Sequence, residues 1–261
     1  MKNCKCMFLI LFFVFKLHAQ KTEFNKSINQ DSLFNVVIKR VPENNRNNIR
    51  ENYKKANEQE KVFLLFILSM PQSSKKELIA NLESKKYEIE SLREEYTKFV
   101  PENYFVYVEF EPENILISKP ETVTIKIKIY KSDVDTALVP SSDSIQFGPD
   151  IKIVSQNWDL KYGSEELATV LKNLSWTNET LNEIKKLLVK ANCISVQNGE
   201  PTKIGFSRNG MGMYSYRIFK KNLTKNEVEQ YNDGCSLIYY KDNFVLEYGG
   251  GAIGLQCFER E

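Results

Sequence analysis

The chain has 261 residues, of which 42% are hydrophobic and 27% charged, a balance that suits a globular protein of one large or two modest domains and excludes a disordered or fibrous one. Its 36 basic and 34 acidic residues nearly cancel, so the net charge of +2 gives no electrostatic reason to expect nucleic acid. Histidine occurs once, at His18.

The first 20 residues read MKNCKCMFLILFFVFKLHAQ, with Lys2 and Lys5 as a basic n-region and Met7 to Phe15 as an apolar run. Leu17-His18-Ala19 then supplies a cleavage site, so residues 1–19 are expected to be a secretory signal peptide. The apolar run of nine residues covers about half of a bilayer core, which argues against a transmembrane anchor. Cys4 and Cys6 precede the run, which argues against a lipid-bearing cysteine. Cleavage would remove Lys2, Lys5 and Lys16, leaving 242 residues with 33 bases, 34 acids and a net charge of −1. It would also leave three cysteines and no histidine. Without imidazole, Ser-His-Asp and Cys-His mechanisms and His-containing zinc sites fall away. The enzymatic routes left are a carboxylate pair, a Ser-Lys or Tyr base, a lone cysteine, or oxygen-ligated Ca²⁺ or Mg²⁺.

Residues 20–100 read as a helical region. Asp31 or Ser27 is expected to cap a short helix through Leu33, Phe34, Val37 and Ile38 that Pro42 ends. A second helix is expected from Asn47 to Ser69, its apolar run Val62–Leu68 buried on all sides. After Pro71, Ser74 and Glu77 match a capping box, and Leu78, Leu82, Ile89, Leu92, Tyr96 and Phe99 follow a helical stripe. The period then changes to 2. Tyr104–Phe110 and Thr122–Tyr130 read as strands, the second alternating Val123, Ile125, Ile127 and Ile129 with Thr and Lys, as one face of an antiparallel sheet requires. Residues 131–150 read as a loop and Ile151–Val154 as a short strand, which closes an antiparallel β element over 101–156.

Residues 157–261 read as a C-terminal α+β domain. Ser164 and Thr177 or Asn178 are placed to cap two helices. Strands are expected near 193–197, 203–208 and 212–219, with Asn209-Gly210 as a hairpin turn. Thr224 and Glu227 form a second capping box, with Leu223 and Val228 as a staple and Gly234 past the helix end. Strands at 236–241 and 244–248 follow, joined by Asp242-Asn243. The fold class is therefore α+β.

Gly249-Gly250-Gly251-Ala252-Ile253-Gly254 matches the spacing of a dinucleotide fingerprint, but only seven residues follow it, too few for the helix and acidic residue such a site needs. Gly249, Gly250, Gly251 and Gly254 instead suggest a turn of close backbone approach, or a binding loop of exposed amides. Cys193, Cys235 and Cys257 are disulfide candidates. A Cys235–Cys257 bridge would pin the tail, and Cys193 with either is also open; no CxxC or metal-ligand spacing appears among them. Glu109, Glu111 and Glu113 cluster at a strand end, and Asp242, Glu247 and Glu259 surround the last hairpin. Alternation puts Glu247 opposite Phe244, Leu246 and Tyr248, where Arg208 or Arg217 offers a salt bridge. Tyr214, Tyr216, Tyr231, Tyr239, Tyr240 and Tyr248 are rigid aromatic-polar side chains suited to recognition, although Tyr214, Tyr216 and Ile218 share one strand face, as do Tyr239 and Leu237, and read as core.

Residues 155–258 resemble a group of uncharacterised secreted bacterial proteins through Ala191-Asn-Cys-Ile-Ser, Tyr231-Asn-Asp-Gly-Cys235 and Val245-Leu-Glu-Tyr-Gly-Gly-Gly-Ala-Ile-Gly254. The resemblance implies export and no activity. The leading expectation is a secreted or periplasmic binding protein without catalysis, metal or cofactor, whose partner is a protein or glycan of the cell envelope. A glycan-directed hydrolase using Glu109, Glu111, Asp242 or Glu247 is the alternative, and a structural envelope component the third reading.

Overall fold

Two apolar clusters organise the chain, and the local sequence decides which helix joins which. The computed structural model describes residues 28–111, 124–132, 151–249 and 256–258. Residues 1–19, expected as a signal peptide, the cap candidate Ser27, most of the expected 131–150 loop, Thr122, Val123, Glu113, Glu259, Gly250, Gly251 and Gly254 lie outside the described residues.

The first cluster is helical. Asn29 caps α1 (Gln30–Val37), accepting from the Ser32 amide at 2.9 Å. Asp31 does not cap it; its carboxylate accepts from the Tyr53 hydroxyl at 3.0 Å. A 3₁₀ turn (Ile38–Arg40) leads to Pro42, which stands at the start of α2 (Glu43–Lys55). The helix expected over 47–69 is two helices. Ala56 is extended, and Asn57 opens α3 (Glu58–Ser69) with a capping box: its side chain accepts from the Gln59 and Glu60 amides while Glu60 accepts from the Asn57 amide. Satisfying these orphaned amides outweighs the continuous helical period. Leu33, Phe34, Val37, Ile38, Tyr53 and Leu65 fill this cluster, with the Phe34 and Tyr53 rings stacked at 3.9 Å. The run Val62–Leu68 is not buried on all sides, because α3 meets α1 and α2 through one face; Leu65 is enclosed, whereas Phe63 is 65% exposed and Ile67 36%.

The second cluster joins α4 (Lys75–Phe99) to a sheet. Ser74 caps α4 by accepting from the Glu77 amide at 3.2 Å, but Glu77 takes the Ser73 and Ser74 hydroxyls rather than the Ser74 amide, so the expected box is half made. Leu78, Leu82, Ile89, Leu92 and Tyr96 are fully buried, each worth about 2 kcal/mol against exposure. The helix bends at Lys85 (φ −126°, ψ 18°). Just before the bend, the Ser84 hydroxyl donates to the carbonyls of Ala80 and Asn81, a competition that loosens the helical ladder.

Strands β1 (Tyr104–Phe110), β2 (Ile125–Ser132), β3 (Ile151–Leu160), β4 (Ser195–Gln197), β5 (Thr202–Asn209), β6 (Gly212–Ile218), β7 (Leu237–Lys241) and β8 (Phe244–Gly249) form one antiparallel sheet in the order β3-β2-β1-β4-β5-β6-β8-β7. The fold is α+β. The β element and the later sheet, expected as separate units, are continuous through β1 and β4, where Val108 faces Val196. The boundary expected at 156/157 falls inside β3, which runs six residues beyond Val154. Between β3 and β4, α5 (Glu165–Asn173), capped by Ser164, and α6 (Asn178–Lys190), capped by Thr177, add Leu167, Leu171, Leu181, Ile184 and Leu188 to the core under the sheet. The buried polar atoms there are matched: Tyr96 donates to Val106 O at 2.8 Å, Trp176 to Phe99 O at 2.7 Å and Tyr216 to Leu78 O at 2.8 Å.

Thr224 caps α7 (Lys225–Gln230) with the expected box, and Gly210 (φ 58°) makes the expected β5–β6 turn. The linker before α4 is tied to that turn, Pro71 O accepting from Gly210 N at 2.8 Å and Asn209 Oδ1 from Ser73 N at 3.3 Å. One strand face differs from expectation. Ile238 and Tyr240 turn to the core, whereas Leu237 and Tyr239 sit opposite Glu247 and Val245 on the other side of the sheet.

Candidate functional site

The face of the sheet away from α4–α6 carries the chemistry. Alternation sends Val106, Val108 and Phe110 of β1 and Ile125, Ile127 and Ile129 of β2 into the core. It leaves Phe105, Tyr107 and Glu109 on the other face, opposite Tyr130, Lys128 and Lys126. From there a cross-strand row runs Glu109, Ser195, Gly205, Ser215, Glu247 over β1, β4, β5, β6 and β8.

A charged knot stands at each end of this row. Glu109, fully buried, accepts from Arg208 Nε at 2.8 Å, Arg208 Nη2 at 2.6 Å and the Tyr107 hydroxyl at 2.7 Å, with Lys126 at 3.9 Å. Glu247 accepts from Arg217 Nε at 2.8 Å and Nη2 at 2.9 Å, and from Lys203 at 3.3 Å. Burial pushes the Glu247 carboxyl up, but the charges of Lys203 and Arg217 and their hydrogen bonds more than reverse it, leaving it below the usual carboxylate range. Burial likewise works against the Arg208 and Arg217 guanidiniums, and Glu109 and Glu247 more than restore their charge. Burial, then the Glu109 charge, holds the Tyr107 phenol well above its ordinary value. The middle of the row is closed: Met213 Sδ and Ser195 Oγ lie where a Cβ on Gly205 would stand, with Ser195 donating to the sulfur at 3.4 Å. Ser215 Oγ is buried there without a hydrogen-bond partner.

Of the carboxylates read as alternative catalysts, Glu109 pairs with Arg208, Glu247 with Arg217 and Lys203, Glu111 with Thr124 and with Lys126 at 3.4 Å, and Asp242 with Lys86 at 3.0 Å. All four are engaged by cations, and Glu247 is shifted opposite to what a general acid requires. Among the described residues no three His, Cys, Asp or Glu side chains converge as a metal site. Gly249 ends β8 opposite Met213, and the remaining glycines of that loop lie outside the described residues.

The cysteines resolve into a Cys235–Cys257 disulfide and a free, buried Cys193. Burial pushes the Cys193 thiol far up, and Asn81, which also bonds Ala191 O and the Tyr216 hydroxyl, only partly offsets this. A thiol so held is a core residue, not a nucleophile.

At the β3 edge the same sheet face becomes open and aromatic. Lys128 Nζ lies 4.1 Å from the Trp158 ring centroid and 5.3 Å from that of Tyr107. Gln156 donates to the Tyr130 hydroxyl at 3.3 Å, and Ile153 pairs with Tyr130. Trp158 is 49% exposed and Ile153 52%. This corner was not legible as a site, because shifts of pairing at Ile125/Ile127 and Ile129/Tyr130 break the period of β3; the available signal was an indole just past the expected strand end. No protein-family model matches the chain, and comparison with curated proteins and with solved structures finds no similar protein.

Proposed function

We propose that the protein is an exported binding protein that holds a partner of the cell envelope on the open aromatic corner of its sheet. The observation that carries this is the exposed Trp158 ring against Lys128, on the face where Tyr107 stands, with exposed Ile153 further along the same strand. A large, half-exposed indole on a strand costs little entropy to immobilise and offers a flat surface for stacking. Gln156 and Lys128 add polar atoms around it, a combination that favours a glycan: the sugar's C–H face on the indole and its hydroxyls on the amide and ammonium. Export is supported by the signal-peptide pattern of residues 1–19 and by the disulfide, which suits an oxidising compartment. No described helix is long and apolar enough to cross a membrane.

The test uses tryptophan fluorescence, since Trp176 is buried and hydrogen-bonded while Trp158 is not enclosed. Titration of the mature protein with purified envelope glycan should shift the Trp158 emission. Trp158→Ala should weaken binding about tenfold or more, the loss expected for a central aromatic anchor. Unchanged affinity in Trp158→Ala, or capture of only a protein partner by both forms, would remove this corner as the recognition surface.

A further inference from the structure

We propose that Gln256–Phe258 is a strap held shut by a reducible bond, and that a dithiol releases it to uncover a stacked tyrosine pair. This goes beyond the binding reading and does not depend on it. Tyr214 and Tyr248, opposite each other on β6 and β8, stack with centroids 4.3 Å apart. The Phe258 ring, 4% exposed, covers them at 5.6 and 5.8 Å. The strap is fastened at two points to Cys235, which precedes β7: the Cys257 sulfur to the Cys235 sulfur, and the Phe258 amide to Cys235 O at 2.8 Å.

Three features make the covalent fastening decisive. Cys257 is exposed, so a thiolate can reach the bond. The closed strap carries an uncompensated cost, because Gln256 Oε1 is buried against Gly212 without a hydrogen-bond partner. Without the bond, burial of one phenylalanine and the single Phe258 amide hydrogen bond must oppose both that cost and the freedom regained by the released segment. The tyrosines do not depend on the strap in the same way, since Asn209 donates to the Tyr248 hydroxyl at 3.0 Å and to that of Tyr214 at 3.5 Å.

The step balances as thiol–disulfide exchange. A dithiol, small or the Cys-x-x-Cys of an oxidoreductase, gives two electrons and two protons to the sulfur pair; Cys235 and Cys257 become thiols and the reductant becomes a disulfide. Cys193 takes no part, being enclosed in the core.

The experiment compares the full chain oxidised, treated with dithiothreitol, and as the double variant C235S/C257S without reductant, by amide hydrogen exchange and by nitration of tyrosines. In the second and third forms the Phe258 amide should exchange about a hundredfold faster and Tyr214 and Tyr248 nitrate about tenfold faster, with β6 and β8 amides unchanged within about threefold, as local opening requires. Phe258→Ala in the oxidised protein should raise nitration of the pair with the bond intact. A Phe258 amide still slow after reduction would show that the strap holds itself. Equal acceleration of β6 and β8 would show that the bond staples the whole sheet, and no nitration change in Phe258→Ala would show that this ring is not the cover; each result overturns the proposal.

Discussion

In the α1–α3 cluster six buried apolar residues hold three short helices together, and the outer side of α3 shows Phe63 and Ile67 to solvent. Around the sheet, thirty buried apolar residues among those described, from α4–α6, strands β1–β6 and β8, their connections and the strap, share one core, and Ile238 and Tyr240 of β7 pack against it. The opposite side of that sheet buries charge instead, in the Arg208–Glu109 and Arg217–Glu247 pairs. The two regions are linked by the Met70–Ser74 segment, which hydrogen-bonds to the β5–β6 turn. A helix belongs to the unit that buries its stripe, not to its neighbours in sequence. Although α4 is the last element of the helical region, its five enclosed side chains make it part of the sheet.

The sharpest way to break this comparison is to strike the sheet where it carries buried charge. Arg217→Ala leaves Glu247 enclosed with only Lys203 opposite, and should cost about 3–5 kcal/mol of global stability. Urea unfolding of the sheet core is the measurement. Replacing both partners with apolar residues of similar volume should recover most of that loss, because the penalty lies in the orphaned charge and not in the absence of attraction. The pH dependence follows from the lowered Glu247 pKa. Its stabilising contribution is complete above the unfolded carboxyl value of about 4.3 and is lost as pH falls through the lower folded value. Wild type should therefore lose stability on acidification through this range, and the doubly apolar variant should lose less. A single Arg217→Ala as stable as wild type would mean that this face is not a structural half of the sheet.

A smaller effect separates the regions. Leu65→Ala removes the enclosed anchor of α3 and should cost about 2–4 kcal/mol, much of what a cluster of this size can supply. Amides of α1–α3 should then exchange with little protection while those of β6 and β8 keep theirs. If both sets accelerate together, the linker couples the regions into one cooperative unit.

Why some of this was legible in the sequence and some was not follows from the distance over which each feature is decided. The alternation of Ile125, Ile127 and Ile129 and the stripe from Leu78 to Tyr96 are local consequences of period and burial, and both elements form, although β2 runs on through Lys131 and Ser132 into the segment expected as a loop, where both still pair with β3. The Thr224–Glu227 box is as local and also stands. The break at Ala56–Asn57 was also encoded locally, but apolar periodicity on both sides masked the Asn-x-x-Glu signal. The choice between Arg208 and Arg217 as partner of Glu247 was beyond any linear pattern. It depends on β6–β8 register, which sets Arg217 opposite Val245 and Ser215 opposite Glu247, while Arg208 reaches β1, 99 residues away in sequence. The Trp158 corner was hidden for a related reason, since pairing shifts between β2 and β3 erase the alternation that marks a strand face.

The least change expected to distinguish the regions is the loss of one hydroxyl. Burial first, then the hydrogen bond to Asp31, raises the Tyr53 phenol from its ordinary value of 10.0 to about 12. A group whose folded pKa is raised stabilises the fold fully below the unfolded value, and that contribution disappears as pH climbs through the folded one. The α1–α3 cluster should therefore weaken between about pH 10 and 12. Far-UV circular dichroism should show a partial loss of helix in that window, with near-UV signals of the sheet tyrosines retained at its lower end. Tyr53→Phe keeps the ring on Phe34 and gives up only the bond to Asp31, so it should cost about 1 kcal/mol near neutral pH and flatten the alkaline step. A step of unchanged size in Tyr53→Phe would assign it to the tyrosines of the sheet and remove the distinction between the two regions at high pH.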